Sequence, residues 1–267
     1  MEFVLVERPV PEVAVVTLNR PERMNAMAFD VMVPLRDQLE QIGHDNTVRA
    51  IVLTGAGRGF CSGADQKSVG PVPYVEGLTR STYALRTMEL LDDVVLTLRR
   101  LHQPVIAAVN GAAIGGGLCL ALACDIRVAA PEAYFRAAGI NNGLTASELG
   151  LSYLLPRAIG SSRAAELMLT GRDLDADEAD RIGLVSEVVP GAGLLDRAVE
   201  IGQRVASFSR PGVELTKRSL WAGLDAGSLE SHMQLEGLGQ LYVRLLTQNF
   251  EEATLARKEK RAPRFAD

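Results

Sequence analysis

The chain has 267 residues, of which 47% are apolar and 23% charged, as in an ordinary globular protein with one large core. Its net charge of −5 argues against a nucleic-acid partner, and no stretch approaches the roughly 20 apolar residues that span a bilayer. The three cysteines lack metal-ligand spacing and the three histidines are scattered. We therefore expect a cytoplasmic protein that has no metal site and does not bind a membrane.

Strand and helix patterns alternate along the first two thirds of the chain. Val13 to Leu18 forms an apolar run typical of a strand, and apolar positions from Ala28 to Ile42 recur at helical spacing. The region from Gly70 to Thr82 has no period and holds two prolines and two glycines, which predicts a mobile loop. Further strands are predicted at 50–54, 104–109, 125–129 and 133–135, and a second helix over 91–101. This alternation predicts an α/β fold with much parallel sheet.

The last quarter of the chain has a different pattern. Strand signals end near residue 194, and apolar stripes at helical spacing continue to about residue 245. We therefore divide the chain into an α/β core over residues 1–195 and a helical region over residues 196–267. Apolar stripes on several consecutive helices favour packing against the core or against a partner subunit.

Two glycine-rich segments carry the strongest chemical signal. Residues 55–65 (GAGRGFCSGAD) follow the predicted strand at 50–54, and residues 110–117 (NGAAIGGG) follow the strand at 104–109. The second segment leads into an apolar run that predicts a buried helix. A strand, a glycine turn and a helix N-terminus leave backbone N–H groups unpaired. Two such segments side by side would direct two N–H donors at one oxygen, which is an oxyanion hole built from main chain.

The chain resembles the crotonase superfamily, also called the enoyl-CoA hydratase/isomerase family. The resemblance rests on an ordered set of motifs: Leu18–Pro21, Asn25–Ala26, Phe60–Asp65, Ala108–Gly111, Gly115–Gly117, Cys124–Ile126, Leu155–Arg157, Leu169–Gly171 and Gly183–Ser186. They follow the family's order and spacing from about residue 13 to residue 190. The resemblance implies a spiral of ββα units, an acyl-CoA thioester as the substrate, and homotrimers or dimers of trimers formed through the C-terminal helices.

The resemblance also implies site residues. Carried over by position, the oxyanion hole falls on the N–H groups of Ala64 and Gly116. The residues expected to contact CoA are Arg23, Met24, Ala64, Asp65, Gln66, Lys67, Gly116 and Lys260. For Asp65 a helix N-cap is an equal alternative, and Lys67 is also compatible with a solvated surface lysine. Coenzyme A would enter as part of the substrate, and no tightly bound cofactor is expected.

The sequence departs from the family's hydratases at both catalytic glutamates. Those two carboxylates hold a water molecule and transfer its protons. The first lies two residues beyond the glycine triplet, where this chain has Cys119, and the second lies four residues after a phenylalanine, where this chain has Gly139. Losing one such group typically costs about 10²–10⁴ in rate. Simple water addition to a 2-enoyl-CoA is therefore disfavoured.

One carboxylate remains at a position that other family members use. Glu148 lies eight residues before Pro156, the distance at which the dienoyl-CoA isomerases and 3-hydroxyacyl-CoA hydrolases of the superfamily carry an acid. The alternatives are a capping-box glutamate with Thr145 as N-cap, or a surface residue. Cys119 is either a buried apolar residue or a reactive thiol near a helix N-terminus.

These residues favour an acyl-CoA enzyme of fatty-acid or related metabolism. It would stabilise a thioester enolate at Ala64 and Gly116 and move a proton through Glu148, because a 1,3-proton shift needs one carboxylate. The alternatives are an enoyl-CoA hydratase with an atypical site, an acyl-CoA hydrolase, and an acyl-CoA-binding protein without catalysis.

Overall fold

The computed structural model describes residues 2–266 and builds its core from four consecutive strand–strand–helix units. The strands are β1 (Val4–Val10), β2 (Val13–Leu18), β3 (Ala50–Gly55), β4 (Gly59–Cys61), β5 (Val105–Val109), β6 (Ala112–Ile114), β7 (Ile126–Ala129), β8 (Tyr134–Arg136), β9 (Leu174–Asp175) and β10 (Glu187–Val188). The helices are α1 (Phe29–Gly43), α2 (Arg80–Arg100), α3 (Gly116–Ala123), α4 (Leu151–Ile159), α5 (Ser161–Thr170), α6 (Ala176–Arg181), α7 (Leu194–Ala206), α8 (Arg210–Gly223), α9 (Leu229–Leu246) and α10 (Asn249–Glu259).

The strands form two sheets. The larger has the order β1-β2-β3-β5-β7-β10, and the smaller has the order β4-β6-β8-β9. Only β1–β2 and β8–β9 pair in antiparallel fashion within residues 2–266. In each of the later units the first strand joins the larger sheet and the second joins the smaller one. The predicted α/β spiral of ββα units is therefore confirmed.

Helix α3 lies at the centre of the core, and all eight of its residues are buried. A helix that is apolar on every side has no solvent face, which agrees with its sequence of Gly, Leu, Cys and Ala. On the outer face of the larger sheet, α7 packs through Ala198 and Gly202. A Cβ at Gly202 would lie 3.1 Å from Cγ2 of Val13, so the glycine allows close contact. Helix α7 thus covers the sheet, and the boundary predicted at residue 195 falls inside this helix.

Helix α2 begins earlier than its apolar pattern indicates. It starts at Arg80, inside the predicted loop, where the Thr79 hydroxyl accepts a hydrogen bond from the Thr82 N–H at 3.4 Å. Most side chains from residue 80 to residue 89 are exposed, so no core-facing stripe marks these first turns in the sequence. No helix within residues 2–266 has the length and apolar character needed to cross a membrane.

Candidate active site

A short main-chain pairing directs the N–H group of Ala64 away from its neighbours. Met27 pairs in parallel with Ala64: its N–H donates to Gly63 O at 2.7 Å, and its carbonyl accepts from the Asp65 N–H at 2.9 Å. Adjacent residues of an extended segment point their N–H groups to opposite sides. The N–H of Ala64 consequently faces away from Met27 and donates to no protein acceptor within residues 2–266.

The N–H of Gly116 is free for a different reason. Gly116 is the first residue of α3, so it has no intrahelical acceptor, and it donates to no other acceptor in the described part of the chain. The preceding Gly115, at φ +53°, turns the chain from β6 into the helix. A Cβ at Gly63 would lie 2.6 Å from Ile114 O and 3.6 Å from Gly116 N. Glycine at position 63 therefore brings the two segments that carry Ala64 and Gly116 close together.

Ala64 and Gly116 line a cavity of about 190 Å³ together with Glu148. The remaining lining residues are Met27, Ala28, Phe29, Asp65, Val69, Met88, Leu91 and Leu149, nearly all of them apolar. Three sequence-predicted residues, distant from one another along the chain, thus border one small space. An apolar wall with a few converging polar groups is typical of a ligand site.

Glu148 is half-buried and lies before α4, not inside it. Within residues 2–266 its main-chain carbonyl accepts from the Leu151 N–H at 2.7 Å and from the Cys119 thiol at 3.5 Å, while its carboxylate forms no hydrogen bond. Burial raises the pKa of Glu148. A half-buried carboxylate with a raised pKa and no protein partner is suited to exchanging a proton with a ligand.

The capping-box alternative for Glu148 is wrong. The N-cap of α4 is Gly150, at φ +80°, and no side chain caps this helix. The Thr145 hydroxyl instead donates to Ser147 O at 3.2 Å. The left-handed glycine delays the start of the helix beyond Glu148, and Thr-x-x-Glu spacing alone does not reveal that delay.

Position 139, one of the two positions where we expect a glutamate in the hydratases, has no space for a side chain here. A Cβ at Gly139 would lie 1.9 Å from the Thr145 carbonyl oxygen. Cys119 is fully buried, and burial raises the pKa of its thiol well above the usual range, with the nearby Glu148 adding to the effect. Burial thus disfavours the thiolate, and the structure favours Cys119 as a buried apolar residue over a reactive thiol.

Asp65 is held by ion pairs with two arginines, one of which also donates hydrogen bonds, and by two main-chain N–H groups. Its carboxylate binds Arg23 at 2.6 Å and Arg20 at 3.1 Å, and it accepts from the N–H groups of Lys67 at 2.9 Å and Ser68 at 3.1 Å. Burial acts to raise the pKa of Asp65, but these hydrogen bonds and the Arg23 guanidinium outweigh it and lower the pKa. Asp65 caps no helix, and its bonds hold the loop that follows Ala64.

The other residues expected to contact CoA are spread more widely. Gln66 and Lys67 are exposed at an open depression over residues 65–71, which shares Asp65 and Val69 with the cavity. Met24 is partly buried, and its terminal methyl contacts the Gly59 region. Lys260 is exposed at the end of α10 and does not line the cavity.

The amino-acid sequence did not predict the structural roles of Asn25 and Met27. Asn25 is fully buried at φ +55°, and its side chain accepts from the Arg20 N–H and donates to Ala56 O and Gly59 O. The Met27 sulfur covers Gly116, since a Cβ there would lie 2.1 Å from it. The only sequence signal for this buried amide was the Asn25–Ala26 motif.

Within residues 2–266 no cluster of His, Cys, Asp or Glu could hold a metal ion.

A spiral of ββα units with two free N–H groups beside a carboxylate defines an enzyme of the enoyl-CoA hydratase/isomerase family. The family model described as enoyl-CoA hydratase/isomerase matches residues 10–267, and the chain belongs to this family.

Particular relatives are highly similar. A Mycobacterium bovis protein named probable enoyl-CoA hydratase echA12 is 75% identical over 100% of this chain and 94% of its own length. The crystal structure of a probable enoyl-CoA hydratase/isomerase from Mycobacterium abscessus shares 73% identity at a TM-score of 0.96, covering 99% of this chain and 98% of that one. A monofunctional enoyl CoA isomerase from M. smegmatis shares 65% identity at a TM-score of 0.75, covering 88% and 99%.

Proposed function

We propose that this protein isomerises enoyl-CoA thioesters by a 1,3-proton shift through Glu148. The observation that carries the proposal is the cavity, which is lined by Glu148 together with Ala64 and Gly116, the two residues whose N–H groups have no acceptor in the described part of the chain. Position 139 has no room for the second carboxylate that hydration requires, and Cys119 offers neither an acid nor a base. One carboxylate is enough for isomerisation because a single group can remove a proton from one carbon and, after exchange with solvent, deliver a proton to another.

The reaction proceeds in two proton transfers. Glu148 takes a proton from C2 of a 3-enoyl-CoA, the C–H electron pair forms a C1–C2 double bond, and the thioester oxygen becomes an oxyanion. The N–H groups of Ala64 and Gly116 stabilise that oxygen, and one such donor is typically worth on the order of 10²–10³ in rate. Protonated Glu148 then returns its proton to C4. The thioester carbonyl forms again, and the double bond moves from C3–C4 to C2–C3.

Relatives support two neighbouring activities. The M. smegmatis protein carries the name of an enoyl CoA isomerase at 65% identity, which favours the proton shift. The M. bovis protein carries the name of a hydratase at 75% identity, and this keeps hydration as the second candidate. The two differ in their product, because hydration adds one water and isomerisation adds nothing.

The CoA part of the substrate is proposed to cross the loop after Ala64. The depression over residues 65–71 shares Asp65 and Val69 with the cavity, and the exposed Gln66 and Lys67 offer a donor amide and a cation for the pantetheine and phosphate groups. Arg23, Met24 and Lys260 are proposed as further CoA contacts. Lys260 is proposed to contact a phosphate of CoA bound to a neighbouring subunit. We propose no tightly bound cofactor. The three cysteines are free and buried, which supports the proposed cytoplasmic location.

The C-terminal helical region, residues 196–267, is proposed to form homotrimers or dimers of trimers. No residue of α9 is buried, although the helix carries many large apolar side chains. A groove of about 630 Å³ between α8 and α9 contains none of the proposed catalytic residues. Apolar surface of this extent normally marks a protein interface.

The test is to incubate the protein with 2-enoyl-, 3-enoyl- and 3-hydroxyacyl-CoA in D₂O and analyse the products by mass spectrometry. We expect deuterium at C2 and C4 and a shifted double bond. In Glu148→Gln the rate of deuterium incorporation should fall by a factor of about 10²–10⁴. Glu132→Gln, at an exposed glutamate outside the cavity, is the matched control. A product heavier by one water would establish hydration instead. Binding without exchange or product would indicate an acyl-CoA-binding protein.

A further inference from the structure

The helix that forms one wall of the cavity carries an apolar ridge to the protein surface. Leu91 and Met88 of α2 line the cavity, and Leu85 comes three residues before Met88. Residues three apart are neighbours on a helix surface, so the three side chains form one row about 9 Å long. Leu91 is half-buried, Met88 is 46% exposed and Leu85 is 66% exposed. The row therefore leads outward from the cavity.

The cavity itself is too small for a long acyl chain. Its volume is about 190 Å³, and a cavity of about 150 Å³ holds one benzene-sized molecule. A chain longer than about six to eight carbons would therefore extend beyond it. Met27, Phe29 and Leu149 are at most 8% exposed and close the inner side. The open rim includes Val69, which is 56% exposed, and Met88.

We infer that the distal part of the acyl chain leaves the cavity at this rim and lies along Leu91, Met88 and Leu85. The acyl ridge formed by these three residues then determines the preference for long chains. The inference rests on the proposed function, because it takes an acyl-CoA as the ligand. It goes beyond that function by naming the substrate class, namely thioesters whose chains exceed the cavity.

The shape of the ridge favours a hydrocarbon chain as its occupant. The ridge is continuous with the cavity proposed to hold the thioester, because Met88 and Leu91 belong to both. Arg86 and Glu89, which form an ion pair with each other, lie on either side of Met88 in the sequence. A stable protein interface buries about 800 Å² on each partner, which is far more than three side chains in a row provide. A flexible row of methylene groups fits this narrow strip.

The experiment measures binding of unreactive saturated thioesters by isothermal titration calorimetry. Butyryl-, octanoyl- and dodecanoyl-CoA are titrated into the wild type, Leu85→Ser and Leu96→Ser. Leu96 is the matched control, because it is 41% exposed on α2, points in the same direction as Leu85 three turns away, and lines no part of the cavity. Sedimentation velocity reports the assembly state of each variant.

Each methylene group of the acyl chain that the ridge half covers should lower the dissociation constant about twofold. We therefore expect dodecanoyl-CoA to bind the wild type and Leu96→Ser about tenfold more tightly than octanoyl-CoA. In Leu85→Ser this gain should shrink to about threefold or less, while butyryl-CoA binds as before.

Three results would overturn the inference. The first is wild-type affinity that does not improve from octanoyl- to dodecanoyl-CoA. The second is an equal loss in Leu85→Ser and Leu96→Ser. The third is a changed mass in Leu85→Ser with an unchanged chain-length dependence, which would make the ridge a contact between copies of the chain. Chain-length dependence without proton exchange would support the ridge and refute the proposed isomerisation, whereas no binding at any length would refute both.

Discussion

The Glu148 carboxylate is half-buried and has no hydrogen-bond partner within residues 2–266, and these two facts predict how activity depends on pH. Burial raises its pKa above the ordinary 4.5, and only the charged form accepts a proton. Proton exchange should therefore increase with pH through an apparent pKa above 4.5, as measured by deuterium incorporation between about pH 4 and pH 8.

The raised pKa of Glu148 also determines how its carboxylate affects the stability of the fold at different pH. A raised folded-state pKa stabilises the fold at low pH, and this contribution is lost as the pH rises through that pKa. Glu148→Gln should therefore melt no lower than the wild type at pH 7. A flat pH profile, or a clear loss of stability in this variant, would show that the carboxylate has a structural role instead.

At Gly139 we predict that even one added methyl group is costly. The new Cβ would meet the Thr145 carbonyl oxygen at 1.9 Å, so the loop before α4 must move. Gly139→Ala should cost about 1–3 kcal/mol, which corresponds to a fall in Tm of roughly 2–4 °C for each kcal/mol. Gly227→Ala, where the new Cβ has no neighbour within 4 Å, is the control and should stay within about 0.5 kcal/mol. Equal Tm values for Gly139→Ala and Gly227→Ala would mean that the loop before α4 moves at little cost in free energy.

Asp65 is predicted to act as a positioning residue. Its carboxylate holds Arg23 and the two N–H groups that follow Ala64, so Asp65→Asn should loosen the segment that carries the Ala64 N–H. Oxyanion donors act mainly in the transition state. We therefore expect kcat to fall by up to about 10² with a smaller change in KM.

The control for this variant is Asp37→Asn, which breaks a surface ion pair with Arg36. Steady-state kinetics on a 3-enoyl-CoA separates the two parameters. A raised KM with unchanged kcat would instead assign Asp65 to CoA binding.

At the scale of elements, α8 is attached to the core by a buried ion pair. Lys217 of α8 lies 2.8 Å from Asp125 and donates to Gln103 O at 2.8 Å, while Asp125 also accepts from Trp221 at 2.6 Å. Burial lowers the pKa of Lys217 although Asp125 opposes the shift. Lys217 is buried and Asp125 is partly buried, so removal of either charge leaves the other without its ionic partner.

Removing one partner of this pair should therefore destabilise the protein strongly. We expect Lys217→Met to cost about 3–5 kcal/mol, and the double variant Asp125→Asn with Lys217→Met to recover part of that loss. Urea unfolding at one fixed protein concentration, followed by circular dichroism, measures both. If the free energy of unfolding of Lys217→Met were within about 0.5 kcal/mol of the wild-type value, the ion pair would not be what holds α8 to the core.

Elements with a periodic apolar face were predictable, and elements without one were not. β2, β3, β5 and α1 follow the predicted ranges closely because each buries a regular apolar pattern. The first turns of α2 are exposed and show no such pattern, and their start depends on the Thr79 cap. β4 and β6 lie within the two glycine-rich segments, whose composition shows no strand pattern.

At the scale of the whole molecule, the exposed apolar face of α9 predicts self-association. Leu238, Leu241 and Leu245 lie on one side of the helix and are 68%, 55% and 72% exposed. Light scattering after gel filtration should give a mass of three or six times 28.7 kDa. Leu238→Glu combined with Leu245→Glu should reduce it, because a charge in an apolar interface is not solvated.

Leu169→Glu, at a 75% exposed leucine of α5, is the control and should leave this mass unchanged. A wild-type protein that elutes as a monomer would contradict the proposed trimer.

The amino-acid sequence was enough to predict the strands and helices with a regular apolar pattern, the family, and the presence of Cys119 and Gly139 where we expect glutamates in hydratases. These follow from local periodicity and from residue identity at fixed spacing. Only the tertiary structure decided that Met27 pairs beside Ala64 and frees its N–H, that Gly150 excludes Glu148 from α4, and that Glu148 faces the same cavity as Gly116. These contacts join residues far apart in the chain, and no local pattern encodes the direction of an N–H group or a carboxylate in space.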